Sequence, residues 1–366
     1  MIKSSEIINS SQSIKYAKEG FDGNKYIKLQ SEKILERILK FNGKLYLEIG
    51  GKFMFDAHAS RVLPGFKPES KKIIFESFKN QADILFCVNS DDIINNRQIT
   101  NENINYNKHI KESINDIEKN IGIKPKIVIN KIDLNLDLTK IEKFQKEFVT
   151  FGYEVFKRYK IEGYPKNVTK ILSKDGYGKD EYIKTSKNLI LVTGIASNSG
   201  KMSTCLGQLY LDNINGVNSG YAKYETFPVW NLDINHPINL AYEAATADIG
   251  DYNIYDEKHK ENYGIKSVNY NRDVEAFNII KLFTDKFISK ENYIYNYKSP
   301  TDMGISNAGF CIIDDKVCSI ASLEEIKRRK IWYQEMVNRG EGKELWVRKC
   351  ENLEKKCNNY IKHFQF

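Results

Sequence analysis

The sequence lacks any apolar run long enough to cross a lipid bilayer. Its first twenty residues also lack the apolar central region of a secretory signal, so residues 1–20 are expected to be an N-terminal extension. The six cysteines are scattered without a C-x-x-C pair, and neither His236 nor His259 has a second ligand at metal spacing. These absences exclude a membrane span, a disulfide scaffold and a zinc site. We expect a cytoplasmic protein without a membrane partner.

The net charge of +8 is concentrated near the end of the chain. In residues 327–366, eleven lysines and arginines stand against five glutamates, so the rest of the chain carries a charge of only about +2. Duplex binding needs a broad electropositive face, which this distribution does not give. The run Lys327-Arg-Arg-Lys330 favours a solvated helix end, and contact with RNA or an acidic partner is the alternative.

Segments with strand and helix patterns alternate along the chain. Strands are expected at 44–49, 83–88, 125–129, 153–156, 189–192, 220–223, 267–270 and 310–314, and helices at 21–41, 69–80, 107–121, 137–150 and 274–288. Strands spaced by helices predict an α/β fold with a largely parallel, doubly wound sheet.

Four regions are expected along the chain. The extension is followed by an N-terminal α/β region at 21–185 and a second α/β region at 186–321, which form either separate domains or one sheet. Ser322-Leu-Glu-Glu325 has the capping-box pattern and is expected to start a basic helical segment at 322–366.

A strand, a glycine-bearing loop and a helix are predicted in succession between residues 189 and 212. Such a succession forms a phosphate cradle, because loop N–H groups and the positive end of the helix point at one place. The candidate phosphate-binding residues are Gly194, Ser197, Asn198, Ser199, Gly200, Lys201, Ser203 and Thr204.

The match of this segment to a P-loop is partial. Standard spacing puts the first Gly or Ala at position 195, where the chain has Ile195, and the magnesium-ligating hydroxyl at position 202, where it has Met202. We expect Ser203 or Thr204 to replace that hydroxyl. A tight strand-to-helix turn with an incidental lysine is the alternative interpretation.

Several blocks of the sequence resemble the bacterial family catalogued as domain of unknown function 1846. They are residues 29–38, 47–52, 58–66, 176–179, 199–202, 220–228, 239–248, 268–273 and 299–304. The resemblance runs from about residue 21 to residue 322 and implies a cytoplasmic protein with a P-loop-like segment, in which Met202 belongs to the family pattern. Members continue beyond the end of this chain, so we expect it to lack a C-terminal domain.

A looser resemblance concerns Gly220-Tyr-Ala-Lys-Tyr-Glu-Thr226, which is similar in layout to dethiobiotin synthetase and related ATP-dependent ligases. The resemblance implies that Lys223 lies near the γ-phosphate, with Thr226 or Glu225 nearby. Two lysines and a helix terminus can neutralise the charge of phosphoryl transfer. A strand-end lysine in solvent is the alternative.

Two further polar clusters are candidates. His58 and Arg61 follow the first strand of the sheet, where they are expected to act as a general base and an anion clamp, or as a structural histidine and a salt-bridged arginine. Glu243 and Asp248 follow an apparent helix start and are the candidate magnesium ligands.

Together these patterns predict a nucleotide-binding enzyme. The preferred function is ATP-dependent activation of a small acidic metabolite by ligase- or kinase-type transfer, with ATP or another nucleoside triphosphate and Mg²⁺ as cofactors. Lys201, Lys223, His58 and Arg61 are the candidate catalytic residues. A non-catalytic protein that binds a nucleotide or phosphorylated metabolite, and an RNA-associated protein using residues 327–366, are the alternatives. The sequence leaves a homo-oligomeric state open.

Overall fold

The computed structural model describes residues 18–96, 98–99, 104–196 and 198–363. Seven strands form one parallel sheet in the order β11-β8-β1-β7-β2-β5-β6. Their bounds are β1 Lys44–Ile49, β2 Ala82–Asn89, β5 Lys126–Ile132, β6 Val155–Tyr159, β7 Leu189–Gly194, β8 Ser219–Tyr224 and β11 Gly304–Ile305. Two small antiparallel sheets pair β3 Gln98–Ile99 with β4 Ile104–Asn105, and β9 Asn253–Tyr255 with β10 Val268–Tyr270.

The order of the strands fixes where the polar strand ends meet. The strands that follow β1 in the chain, namely β2, β5 and β6, lie in order on the far side of β7. The strands that follow β7, namely β8 and β11, lie in order on the opposite side, beyond β1. Strands from both sides of residue 186 therefore lie in one sheet. The winding reverses between the neighbours β1 and β7, and ligands of open α/β sheets bind at such a switch point, beyond the carboxyl ends of the strands.

Helices cover both faces of the sheet. They are α1 Gly23–Phe41, α2 Ala57–Val62, α3 Ser70–Ser77, α4 Ser90–Asn95, α5 Tyr106–Ile121, α6 Thr139–Thr150, α7 Val168–Ile171, α8 Lys201–Ile214, α9 Pro237–Ala245, α10 Glu257–Tyr263, α11 Asn271–Lys286, α12 Pro300–Met303, α13 Asp315–Asn338 and α14 Glu344–His363. On one face, Tyr26 of α1 hydrogen-bonds to Tyr224 of β8 at 3.1 Å. On the other, Tyr46 of β1 donates to Asp212 of α8 at 2.8 Å.

The alternation of side chains along a strand explains why both faces are buried. Successive residues of a strand point to opposite faces. Leu45, Tyr46 and Leu47 of β1 are all fully buried, because helices lie on both sides of this central strand. Glu48 points to the same face as Tyr46, towards α8, and ends this apolar run at the edge where the loops meet.

Local signals set the ends of α1. The Asp22 side chain accepts from the Lys25 N–H at 2.9 Å, and the helix ends at Asn42, which adopts a left-handed conformation with φ of 44°. Asn42 can adopt this conformation because asparagine tolerates it better than most residues. The predicted helix end at Asn42-Gly43 is confirmed.

Two sequence predictions about the second half of the chain are wrong, and one predicted strand lies outside the main sheet. Residues 308–311 form a 3₁₀ helix rather than a strand, and residue 312 makes only an isolated bridge to Phe21. The strand at 268–270 is real but pairs with β9 outside the main sheet. Ser322 does not start a helix: α13 begins at Asp315, and the Ser322 hydroxyl donates to the Cys318 carbonyl inside it at 2.7 Å.

The last two helices pack against the body of the protein. α13 contacts α2, α9 and α14, and α14 also contacts α9. The run 327–330 lies inside α13, where Arg328 is bound to Glu325. Within the described ranges, none of the helices combines the length and the apolar character that a membrane span requires.

Candidate functional site

A cavity of about 680 Å³ opens at the carboxyl ends of the parallel strands. This volume falls in the range of small-molecule sites, about 300–1,000 Å³. Its wall includes Glu48 of β1, Asn130 and Lys131 of β5, Arg158 and Tyr159 of β6, Lys201 of α8, Lys223 of β8, and Arg272 and Asp273 of α11, together with Tyr164, Phe227, Tyr242 and Tyr270. The cavity therefore lies at the switch point.

The loop between β7 and α8 folds tightly against the end of β5. Gly200 has a φ of 88°, and a Cβ at this position would lie 2.7 Å from Cγ of Asn130. A Cβ at Gly194 would overlap Ser199 in the same way. The Asn130 amide donates to the Ser199 carbonyl at 3.0 Å, which ties the loop to β5. Ser197 lies outside the described residues.

The start of α8 is an uncapped helix terminus beside a lysine. The N-cap residue Gly200 has no side chain to accept from the first-turn N–H groups. Lys201 lines the cavity and, within the described part of the chain, its ammonium has no hydrogen bond or ion pair. Burial lowers the pKa of Lys201. The helix terminus and the lysine together can hold an anion.

The two candidate hydroxyls near this terminus have different positions. Thr204 is fully buried; its hydroxyl donates to Asn130 Oδ1 at 3.1 Å and lies 3.4 Å from the Cys87 thiol. Ser203 lines the cavity, as does Met202. Of the two, only Ser203 presents a hydroxyl on the cavity wall.

Asn198 lies on the other side of the loop. It has a φ of 63° and accepts a hydrogen bond from Arg272 at 3.2 Å. Arg272 is itself paired with Asp251 at 2.6 Å. These contacts connect the loop to the start of α11.

Lys223 lies in the cavity wall within an acidic cluster. Its ammonium contacts both oxygens of Asp273, at 2.7 and 2.6 Å, and lies 3.1 Å from Glu225. Burial opposes the charge, but these carboxylates raise the pKa of Lys223. Burial, with the charge of Asp273, also raises the pKa of Glu225. Asp273 follows the strand at 268–270, but no local pattern predicts its pairing with Lys223, which lies 50 positions away along the chain.

Glu48 is a cavity residue to which the sequence pattern assigned no role. It lies in β1 beside Val192 of β7 and Lys223 of β8. Tyr221 donates to one of its oxygens at 2.7 Å, and its charge acts on Lys201. The signal for it was an acidic residue that ends an apolar strand.

His58 and Arg61 share one buried carboxylate, that of Glu325 on α13. His58 Nδ1 lies 3.0 Å from Glu325 Oε1, and Arg61 Nε donates to Oε2 at 2.8 Å. Arg328 and Arg329 bind the same carboxylate. Burial lowers the pKa of His58. His58 and Arg329 line the cavity, whereas Arg61 lies behind them.

Glu243 and Asp248 lie outside the residues that line the cavity. Glu243 accepts from the Asn253 N–H at 3.2 Å and lies 3.5 Å from Lys349. Asp248 accepts from Tyr333 at 3.1 Å. Each carboxylate therefore has its own partner, and their positions do not support a shared magnesium site.

Most of the lysine and arginine side chains that line the cavity form an ion pair with a carboxylate, and three form none with any residue that the structure describes. The paired ones are Lys71 with Asp56, Arg158 with Asp180, Lys160 with Asp133, Lys223 with Asp273, Arg272 with Asp251, and Arg329 with Glu325. Among the residues described, Lys52, Lys131 and Lys201 have no carboxylate within ion-pair distance. Glu48 and Glu275, which also line the cavity, have no ion pair among the described residues either, so Lys201 is distinguished by its place at the uncapped start of α8.

Comparisons with known proteins place this chain among uncharacterised bacterial relatives. A family model described as "Domain of unknown function DUF1846, N-terminal" matches residues 19–358. The chain is 43% identical over 321 residues to a UPF0371 protein of Streptococcus uberis, covering 88% of this chain and 63% of the relative. UPF0371 proteins of Streptococcus equi subsp. zooepidemicus and Streptococcus pyogenes serotype M5 are also 43% identical, over 87% of this chain. The chain spans less than two thirds of the length of these relatives.

Proposed function

The chain belongs to the DUF1846 family, and we propose that it binds a nucleoside triphosphate in its cavity and transfers a phosphoryl group to a small acidic metabolite. The observation that carries the proposal is the unpaired Lys201 beside the uncapped start of α8. A buried charge without a partner costs free energy, and a bound phosphate offsets that cost. In this proposal the β7–α8 loop acts as a P-loop-like cradle.

The acceptor end of the reaction is assigned to the acidic corner of the cavity. Phosphoryl transfer depends on positioning and on neutralising charge. Because Asp273 and Glu225 already balance Lys223, its role in this proposal is to position these carboxylates. Glu48, held by Tyr221 through one oxygen, is the candidate that orients or deprotonates the attacking group.

Magnesium bound with a nucleotide takes most of its ligands from phosphates and water, and one or two from carboxylates. When bound, it would neutralise phosphate charge. Glu48 and Ser203 fit this requirement, because both line the cavity near Lys201. Glu243 and Asp248 do not, because they lie off the cavity wall and have other partners.

A non-catalytic nucleotide-binding protein is the second candidate. The position of Thr204 favours it, because this hydroxyl is buried against Asn130 and cannot reach a ligand in the cavity. With Met202 at the preceding pattern position, only Ser203 can supply a hydroxyl there. A binding protein needs no such group.

The test is a thermal melt of the wild-type chain, Lys201→Ala and Lys174→Ala with Mg-ATP and with Mg-GTP. Lys174 is an exposed lysine away from the cavity and serves as the matched control. A nucleotide at a hundredfold excess over its Kd stabilises the fold by about 2.7 kcal/mol. We expect this shift in the wild type and Lys174→Ala and its loss in Lys201→Ala.

Two further results decide between the candidates. Turnover of the bound nucleotide in the presence of small carboxylic acids, followed by phosphorus NMR, supports transfer; binding without turnover over the same mixture supports the non-catalytic protein. A melt that neither nucleotide shifts contradicts both.

A further inference from the structure

The segment Asn130-Lys131-Ile132-Asp133 brings three polar groups to the carboxyl end of β5. In the sheet, β5 is separated from β7 by β2 alone, so the ends of these two strands lie two strand spacings apart, and the β7–α8 loop reaches across β2 to contact Asn130. Neighbouring strands are about 4.8 Å apart, which gives a separation of about 10 Å. A nucleotide whose phosphates lie at Lys201 can therefore extend its base to the ends of β5 and β6.

Asn130 connects this segment to the phosphate loop. Its amide donates to the Ser199 carbonyl at 3.0 Å and its oxygen accepts from Thr204 at 3.1 Å. Because both the nitrogen and the oxygen of its side-chain amide are hydrogen-bonded, Asn130 holds the loop, α8 and the end of β5 in one fixed arrangement. A base at β5 and phosphates at α8 would then bind to a single rigid unit.

Lys131 adopts a backbone conformation that lysine rarely adopts. Its φ is 63°, whereas Asn42, Asn96 and Asn198, the other non-glycine residues with positive φ in the described part, are asparagines, which tolerate it. Lys131 lines the cavity, and burial lowers the pKa of its ammonium. Strained conformations of this kind concentrate at ligand sites. Here it leaves an unpaired side chain on the cavity wall.

Asp133 follows two residues later as an ionised hydrogen-bond acceptor. One oxygen lies 2.8 Å from Lys160, which lines the cavity, and the other accepts from the N–H and the amide of Asn135 at 3.1 and 3.0 Å. The hydrogen bond from Lys160 lowers the pKa of Asp133. Asp133 does not line the cavity itself, but its partner Lys160 does.

We propose that Asn130, Lys131 and Asp133 form a nucleobase site that selects guanine. This inference rests on the proposed nucleotide site and names its base. A carboxylate only accepts hydrogen bonds. Guanine offers two adjacent donors, N1–H and the 2-amino group, which match its two oxygens once Lys160 leaves one of them and the Asn135 side-chain amide leaves the other, where the Asn135 N–H remains bound. Adenine presents a bare N1 acceptor at the same edge, which the carboxylate repels.

The flanking residues supply the remaining contacts of this site. Ile132 of β5 pairs with Tyr159 of β6, so the Tyr159 side chain lies at the same end of the cavity as Lys131. The aliphatic stem of Lys131 and the ring of Tyr159 can cover the flat faces of a base. In the structure Lys160 is the ion-pair partner of Asp133 that a base would have to replace.

The experiment measures Kd for GDP, ADP, xanthosine diphosphate and inorganic pyrophosphate by calorimetry. The proteins are the wild type, Asp133→Asn and the matched control Asp137→Asn, which makes the same chemical change in the same loop, where Asp137 hydrogen-bonds to Thr139. Melts of all three proteins check that they are folded. Lys201→Ala serves as the phosphate-site control.

We expect the wild type and Asp137→Asn to prefer GDP over ADP by about tenfold to hundredfold, the range of one base-edge match. Replacing Asp133 by Asn turns one acceptor into a donor, which suits xanthine, whose 2-position carries an acceptor oxygen. Asp133→Asn should therefore bind xanthosine diphosphate more tightly than GDP. A merely structural role for Asp133 does not produce this reversal.

Equal affinities for GDP and ADP, or an Asp133→Asn protein that behaves like Asp137→Asn, overturn the inference. If pyrophosphate binding is nevertheless lost in Lys201→Ala, the phosphate site stands and only the base site is wrong. If none of the four ligands binds, the proposed function itself fails.

Discussion

Lys201 and Lys223 both line the cavity at the carboxyl end of the sheet, yet their surroundings are opposite. Lys223 contacts Asp273 and Glu225, and these carboxylates raise its pKa against the effect of burial. Lys201 has no ion pair among the described residues, and burial lowers its pKa. The charge of Lys223 is compensated within the fold, whereas the charge of Lys201 remains available for a ligand.

This difference separates the cavity charges that stabilise the fold from those that are available to bind a ligand. Removing one member of a buried pair leaves an uncompensated charge and costs stability. Removing a buried charge that never had a partner costs little and relieves desolvation. Substitution of a paired group in the cavity should therefore lower the free energy of unfolding, whereas substitution of an unpaired lysine should weaken ligand binding.

The largest effect is expected at Glu325, which compensates Arg61, Arg328 and Arg329. Glu325→Ala removes the carboxylate that binds these guanidinium groups in the interior and should lower the free energy of unfolding by about 3–5 kcal/mol. Glu324→Ala, which removes only an exposed pair with Lys327, should cost less than about 1 kcal/mol. Urea denaturation of both variants measures the difference; equal losses would contradict the comparison.

Lys223→Met should cost about 3 kcal/mol near neutral pH, because Asp273 and Glu225 remain buried without their cation. Burial already raises the folded-state pKa of Glu225 above its unfolded value, and loss of the lysine, which lowers it, raises that pKa further. Stability then persists at low pH, where this carboxyl is protonated, and is lost as the pH rises. Unfolding free energies measured from about pH 5 to about pH 9 test this sign. A penalty that does not grow with pH would show that the pair is not a buried one.

Gly200→Ala tests the fit of the loop against Asn130. The substitution strains a backbone with φ of 88° and brings a Cβ to 2.7 Å from Asn130 Cγ. Gly216→Ala is the matched control, because its φ of 71° gives similar strain but nothing lies within 4 Å of its Cβ. Gly216→Ala should cost about 1 kcal/mol and Gly200→Ala up to about 3 kcal/mol. Equal costs in thermal melts would mean that the loop is not packed on β5.

Much of the sheet could be predicted from local patterns. The bounds of β1 at Lys44–Ile49 agree with the prediction, because a short apolar run ends at Gly50 and Gly51. The resemblance to the DUF1846 family is confirmed. The strand predicted at 310–314 failed because an apolar run of four residues does not distinguish a strand from a short 3₁₀ helix.

The pairings inside the cavity could not be predicted. The sequence indicated that Lys201 follows a strand and a loop, but its lack of a partner depends on where every carboxylate lies. Ser322-Leu-Glu-Glu325 matched a capping box, yet Glu325 lies inside α13, where it binds Arg61 of α2 and two arginines of α13 itself. The fold, not the local pattern, sets these long-range contacts, which decide whether a charge is structural or available.

Glu225→Gln tests the comparison through its dependence on pH. Burial and the charge of Asp273 raise the pKa of Glu225 to about 8. Since the folded-state pKa lies above the ordinary value of about 4.3, this carboxyl stabilises the fold at low pH, and the contribution is lost as the pH rises through about 8. Glutamine keeps the site neutral, so the variant should gain on the wild type by at least about 1.4 kcal/mol between about pH 5 and pH 9. The assignment would be contradicted if the free energies of unfolding of the variant and the wild type, measured in denaturant, differed by the same amount at every pH.

The most direct measurement compares Lys201→Ala with the wild type in urea, first without ligand and then with saturating Mg-nucleotide. If Lys201 is kept for a phosphate, the variant without ligand should be as stable as the wild type or more stable. The nucleotide should then stabilise the wild type by about 2.7 kcal/mol at a hundredfold excess over Kd and leave the variant unchanged. A variant that is destabilised without ligand, or that is stabilised by nucleotide as much as the wild type, would contradict the phosphate site at the start of α8.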